Sequence, residues 1–164
     1  MPDVISDTSP IQYLYQVELL DLLFRLYAEI TIPEAVENEL AEGRDHGINL
    51  PGVAEMSRFK VRTAAPEQTI RFPTSLGKGE GEVLALAFVS PDSLLLLDDA
   101  LAQQHARQLG ITFTGTLGVL LKAKQSGLLV EVRSILDKLD TKGFRLDKKT
   151  RAAVLKLAKE AGSD

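Results

Sequence analysis

The sequence predicts an α/β protein built on a parallel sheet. Short apolar runs alternate with amphipathic segments of roughly ten residues, the pattern of βαβ units. Two of these runs, Val4-Ile5-Ser6 and Leu94-Leu95-Leu96-Leu97, end directly in aspartate, at Asp7 and at Asp98-Asp99. Open α/β sheets keep their ligands outside the carboxyl ends of such strands. Beyond Gly127 the pattern turns purely helical.

Taken in order, Val4–Asp7 reads as a buried strand. Helices are predicted over Pro10–Gln16 and Glu18–Leu26, the second presenting Leu19, Leu20, Leu22, Leu23 and Leu26. Glu29–Ile32 is a short β-branched run. Pro33 suits the first turn of the next helix, where its missing N–H is not needed, and that helix ends near Gly43. Glycines and prolines punctuate residues 43–78, within which Phe59–Thr63 alternates like an edge strand. A helix over Glu80–Val89, a strand over Leu94–Leu97, a helix over Ala100–Leu109 stopped by Gly110, and a strand over Ile111–Phe113 follow. Thr116 is the predicted cap of a helix over Leu117–Ser126, which Gly127 ends. Two more helices, Val130–Leu139 and Lys148–Ala161, close the chain, the last with Asp147 as N-cap.

The 164 residues fit one domain, 1–164, with a helical, basic extension from about residue 128. There is no cysteine, which removes disulfides and thiolate metal sites. No apolar stretch approaches the roughly 18 residues of a membrane-spanning helix, and no basic region followed by an apolar segment marks a signal peptide. A cytoplasmic protein with no membrane partner is the expectation. The net charge of −4 is uneven: residues 1–121 hold 8 Lys/Arg against 17 Asp/Glu, whereas residues 122–164 hold 11 against 6. Acid in the body and base in the tail suit a metal site and a phosphate-binding surface kept apart, though a solvated amphipathic tail explains the same numbers.

Carboxylates are available at Asp7, Glu39, Glu80 or Glu82, and Asp98 or Asp99. Crowded together they would repel, and at least one would hold its proton. A hard divalent ion such as Mg²⁺ or Mn²⁺ relieves that repulsion, takes oxygen ligands, and supports phosphodiester hydrolysis. Glu82 shares the apolar side of its helix and so is favoured over Glu80 as the acid facing a crevice. Each acid also has a plain structural use. Asp7 and Asp99 suit helix N-caps, Glu80 and Glu82 suit a helix N-terminus, and Glu39 suits the surface. His46 and His105 lack partners at zinc spacing. Thr114-Gly115-Thr116 opens a helix whose free N–H groups would accept a phosphate, with a simple cap as the plainer reading.

In sequence order, Val4-Ile5-Ser6-Asp7-Thr8-Ser9-Pro10, Ile30-Thr31-Ile32-Pro33-Glu34-Ala35-Val36 with Glu39-Leu40, Gly79-Glu80-Gly81-Glu82-Val83-Leu84, Leu97-Asp98-Asp99, Gly115-Thr116-Leu117-Gly118 and Gly143-Phe144-Arg145-Leu146 resemble PIN-domain nucleases of the DUF3368 branch. The resemblance covers nearly the whole chain. It implies a three-layer α/β/α fold with a central parallel sheet and C-terminal helices. It also implies a metal-dependent ribonuclease using Mg²⁺ or Mn²⁺. Asp7, Glu39, Glu82 and Asp98 would be its catalytic acids, with Asp7, Glu82, Asp98 and Asp99 as metal ligands. Thr8 or Ser9 would orient the Asp7 carboxylate or a metal-bound water; independently of the resemblance, the helix start at Thr114 and Thr116 makes these two residues candidates for positioning substrate. Many relatives resemble toxins of toxin–antitoxin pairs, so the implied partners are RNA, a small antitoxin protein and a second copy of the chain. One departure stands out: the branch implies basic residues soon after the double aspartate, yet Ala100-Leu101-Ala102-Gln103-Gln104-His105 has no arginine or lysine before Arg107.

Two other classes compete. A module on the same fold that binds nucleic acid or protein without catalysis would keep the same sequence pattern. A phosphohydrolase with Asp7 as nucleophile is weakened because Ser9 stands where the second aspartate would be.

Overall fold

The computed structural model describes residues 3–69 and 71–161; the outermost positions of the predicted domain lie outside the described residues. Five parallel strands form one sheet: β1 (Val4–Ser6), β2 (Ile30–Pro33), β3 (Phe59–Arg62), β4 (Leu94–Leu96) and β5 (Thr112–Thr114), in the order β3-β2-β1-β4-β5. The chain winds outward from β1 through β2 to β3, then returns past β1 to lay down β4 and β5 on the other side. The reversal point lies between β1 and β4, which pair as Val4 with Leu94, Ile5 with Leu95 and Ser6 with Leu96. There the connections leave in opposite directions and open a crevice at the carboxyl ends of the strands.

The helices among the described residues are α1 (Thr8–Gln16), α2 (Asp21–Tyr27), α3 (Glu34–Asp45), α4 (Pro66–Thr69), α5 (Lys78–Phe88), α6 (Ala100–Gln108), α7 (Thr116–Gln125), α8 (Arg133–Thr141) and α9 (Lys148–Leu157). α1, α2 and α7 pack together on one face and α5 and α6 on the other, giving three layers; α9 packs outside α7. Both faces of the sheet are therefore covered, and Ile5, Ile30, Ile32, Leu95 and Leu96 are fully buried. This coverage is why the central strands read as continuous apolar runs. No helix among the described residues is long and apolar enough to cross a membrane.

Most predicted elements are present, and the differences have physical causes. Gly110 adopts a left-handed φ of 71°, and the Ile111 N–H donates to the Ala106 carbonyl at 2.9 Å. Ile111 is thus spent on closing α6, and β5 begins at Thr112. Pro33 ends β2 and stands just before α3, not within its first turn. Gly115 is the N-cap of α7, so Thr116 is its first helical residue. The last two helices are set by one side chain. Glu160 accepts hydrogen bonds from the Val132 and Arg133 N–H groups at the start of α8, and from Lys124 Nζ at 2.8 Å. Seating that carboxylate turns the chain at Lys159, φ 61°, so α9 ends at Leu157 and α8 starts at Arg133. The short helix α4 and the 3₁₀ turn Val53–Glu55 occupy the stretch where sequence patterning is weakest.

Ile5, on the central strand and fully buried, tests this core. Ile5→Ala should lower unfolding stability by about 2–5 kcal/mol with an unchanged denaturant slope, read by urea titration.

Candidate metal centre

Asp7 follows β1 and closes the ladder, its N–H donating to the Leu96 carbonyl at 3.0 Å. It is the N-cap residue of α1 by backbone conformation, yet its side chain makes no capping hydrogen bond. Only 4% of its surface is exposed, and Oδ1 is buried without a hydrogen-bond partner. Burial raises the Asp7 pKa from 3.8 to about 8; the Glu80 charge adds to the rise, the Thr8 N–H works against it, and Glu39 and Asp98 raise it further. An orphaned, desolvated carboxylate oxygen is a strongly unfavourable arrangement unless a proton or a cation joins it.

Glu39 arrives from α3. Thr8 donates its hydroxyl to Glu39 Oε2, and the Gly79 N–H at the start of α5 donates to Oε1 at 3.2 Å. A Cβ built on Gly79 would stand 2.8 Å from Glu39 Oε1 and 3.1 Å from Asp7 Oδ1. Any side chain there would fill the space that both carboxylates face. Glycine keeps it open.

The two strand-end aspartates after β4 are used differently. Asp99 is the N-cap of α6, and its side chain accepts from the Ala102 N–H at 2.9 Å. Asp98 turns to α7, where Oδ1 accepts from the Thr116 N–H and Oδ2 from the Thr116 hydroxyl, each at 2.7 Å. Burial raises the Asp98 pKa, and both Thr116 bonds oppose the rise. Thr116 therefore orients an acid, and its N–H is committed to Asp98 instead of being free for phosphate. The Thr114 hydroxyl occupies the space above Gly118, and the Thr114 carbonyl accepts from the Leu97 N–H. The Thr8 hydroxyl holds Glu39 while its N–H opposes the rise of the Asp7 pKa, and the Ser9 side chain makes no hydrogen bond among the described residues.

The two candidate glutamates of α5 part company. Residues two apart on a helix point to nearly opposite sides. Glu80 adds its charge to Asp7 and is itself raised in pKa, by burial first and then by Glu39 and Asp99 against its own backbone N–H. Glu82 faces the other flank, where it accepts from the Ala35 N–H at 3.4 Å and lines a cleft with Thr69 and Lys78. Glu82, the acid expected in the crevice, has its buried side chain at the start of α3, and the Glu80 charge acts on Asp7. Gly79 and Glu80 are the residues that the sequence reading undervalued. Their signal was the Gly-Glu-Gly-Glu repeat at the helix start, where a backbone position had to approach an acid closely.

The ion pairs formed among the described residues, Arg62–Asp3, Lys124–Glu160 and Arg151–Asp137, involve none of the crevice acids. No three acidic or histidine side chains among the described residues close into a finished coordination group. What stands ready is the pair Asp7 and Glu39 across Gly79, with Asp98 and Glu80 adding to the field at Asp7. An all-oxygen donor set with an unsatisfied buried carboxylate fits a hard divalent ion.

The model of the DUF3368 family, described as a PIN domain, matches residues 3–160, and the chain belongs to this PIN-domain family. PIN domains are generally nucleases that act on nucleic acid and typically use divalent metals, which agrees with the acid-lined crevice at the sheet's reversal point. A search of curated proteins finds no match.

The Asp7 shift carries a pH dependence with a definite sign. The native state holds a proton that the unfolded chain releases between pH 3.8 and about 8, so without metal, stability falls as pH rises across that window. Asp7→Asn removes the burial penalty and should raise Tm near neutral pH while flattening the pH profile. Mn²⁺ should raise the Tm of the wild type at neutral pH and leave the variant nearly unmoved, measured by thermal unfolding with and without the ion. A Tm of the variant that tracks the wild type at every pH contradicts the assignment.

Proposed function

We propose that the protein is a metal-dependent ribonuclease that hydrolyses RNA phosphodiester bonds in the crevice between β1 and β4. The observation that carries the reading is the buried, unpartnered Asp7 Oδ1 facing Glu39 across the bare backbone of Gly79. Asp7, Glu39, Glu80 and Asp98 would hold Mg²⁺ or Mn²⁺. When bound, the ion would supply water activation and neutralise charge developing on the phosphodiester. The protein's own residues set the conditions. Thr8 and Gly79 fix the Glu39 carboxylate, Thr116 fixes Asp98, and the covered sheet keeps Asp7 away from bulk water. Preorganised acids of this kind spare the reorganisation that a flexible site would need. A role as the toxin of a pair restrained by a small antitoxin protein belongs to the same proposal and extends beyond the PIN-domain match itself.

The test is cleavage of single-stranded RNA with Mg²⁺, Mn²⁺ or EDTA. Cleavage should require the ion and fall by about 100-fold or more in Asp7→Asn, roughly 2.7 kcal/mol of transition-state stabilisation. Glu80→Gln should lose activity where Glu82→Gln keeps most of it. Loss in Glu82→Gln with activity kept in Glu80→Gln would return the third-acid role to Glu82. A second reading, a binding module without catalysis, is favoured by the unfinished coordination group among the described residues. RNA binding with no cleavage in either metal would establish it.

A further inference from the structure

A phosphodiester approaching this crevice meets Asp7, Glu39, Glu80, Asp98 and Asp99, all acidic. A dication offsets part of that field at the reacting phosphate, and the neighbouring phosphates need their own cation. The helix that follows the double aspartate does not provide it. Its arginine, Arg107, lies in the last turn of α6 with its guanidinium 5.4 Å from the centre of the Phe113 ring. Arg58 and Arg71 are likewise engaged, over Phe24 and Phe88.

We infer that Arg145 supplies this cation, holding a backbone phosphate of single-stranded RNA in a cleft beside Asp98; the inference rests on the ribonuclease reading. The cleft has a volume of about 290 Å³ and is lined by Asp98, Gln103, Gly115, Gly118, Arg145 and Thr150, among others. One wall is the strap between α8 and α9. Gly143, φ 91°, turns the chain out of α8, and Phe144 then packs edge-on against Tyr13 at 5.0 Å. Leu146 packs on the core, and Asp147 caps α9 by accepting from the Thr150 N–H at 2.7 Å. The strap is pinned on both sides of Arg145, which remains exposed and makes no hydrogen bond, ion pair or ring contact among the described residues. The cleft's two carboxylates do not claim it. Asp98 is held by Thr116 and Asp147 by Thr150.

Two glycines, Gly115 and Gly118, also line the cleft, together with Gln103 and Leu117. A Cβ on Gly115 would stand 2.7 Å from Asp98 Oδ1, and one on Gly118 would overlap the Thr114 hydroxyl. The volume falls just below that of pockets that enclose a small ligand, about 300–1,000 Å³, and suits a strand crossing the surface. A guanidinium matches a phosphate with two parallel hydrogen bonds, which a lysine does not reproduce.

The experiment is binding of a fluorescent single-stranded oligoribonucleotide in EDTA, followed by anisotropy over a series of salt concentrations. Arg145→Ala should raise Kd about tenfold and reduce the slope of log K against log salt by about 0.7, one phosphate contact on a single strand. Arg145→Lys should keep the slope while losing part of the affinity. Arg58→Ala, which removes the same charge at the opposite edge of the sheet, should change neither. Thermal unfolding of each variant checks that it folds. Equal effects of Arg145→Ala and Arg58→Ala, or an unchanged slope in a folded Arg145→Ala, overturn the inference. Since the readout needs no cleavage, the two readings separate. Arg145-dependent binding without hydrolysis upholds this site and rejects the nuclease. Hydrolysis with Arg145-independent binding does the reverse, and wild-type protein that binds no RNA overturns this site, the cleavage assay with metal deciding the nuclease separately.

Discussion

Placing a carboxylate inside the carboxyl edge of a covered sheet is the constraint around which this molecule is organised. Asp7 stands one residue beyond the central strand, at the position where the winding of the chain reverses. The hydrophobic layers on both sides keep water from it, and no protein donor compensates its Oδ1. An apolar residue there would stabilise the fold without difficulty. An acid there must hold a proton or a cation, because a buried unpaired charge is among the most costly features a core can carry.

The remaining acids show how the protein handles the same difficulty by degrees. Asp99 is neutralised structurally, as a helix cap, and Asp98 is clamped by the main chain and hydroxyl of Thr116. Glu39 is held by Thr8 and by the backbone of Gly79. None is given a lysine or arginine among the described residues. Hydrogen-bond donors orient these carboxylates without cancelling their charge, so the field at Asp7 survives. The basic residues are concentrated instead in the C-terminal third, where they staple helices, as Lys124 does with Glu160, or line the cleft beside Asp98, as Arg145 does.

Local pattern carried much of this into the sequence. The apolar runs ending in Asp7 and Asp98, the glycine stops after α6 and α7, and the cap at Asp147 all depend on neighbours within a few residues, so periodicity and cap chemistry reveal them. The stretch between α3 and α5 stayed obscure because its short helix and 3₁₀ turn are held by packing more than by any repeating pattern. The ends of α8 and α9 were misplaced for a related reason. Glu160 caps a helix that begins 27 residues before it, and no local signal announces that.

The sequence by itself determined the parallel α/β class, the strand-end placement of the aspartates and the separation of acid from base. Those follow from alternation of apolar and polar residues along the chain. Only the tertiary structure decided which glutamate of α5 adds its charge to the field at Asp7, which aspartate of the pair after β4 caps a helix, and what a side chain at residue 79 would meet. Each of these depends on the direction of a side chain relative to elements distant in sequence, and that direction is fixed by how the layers pack.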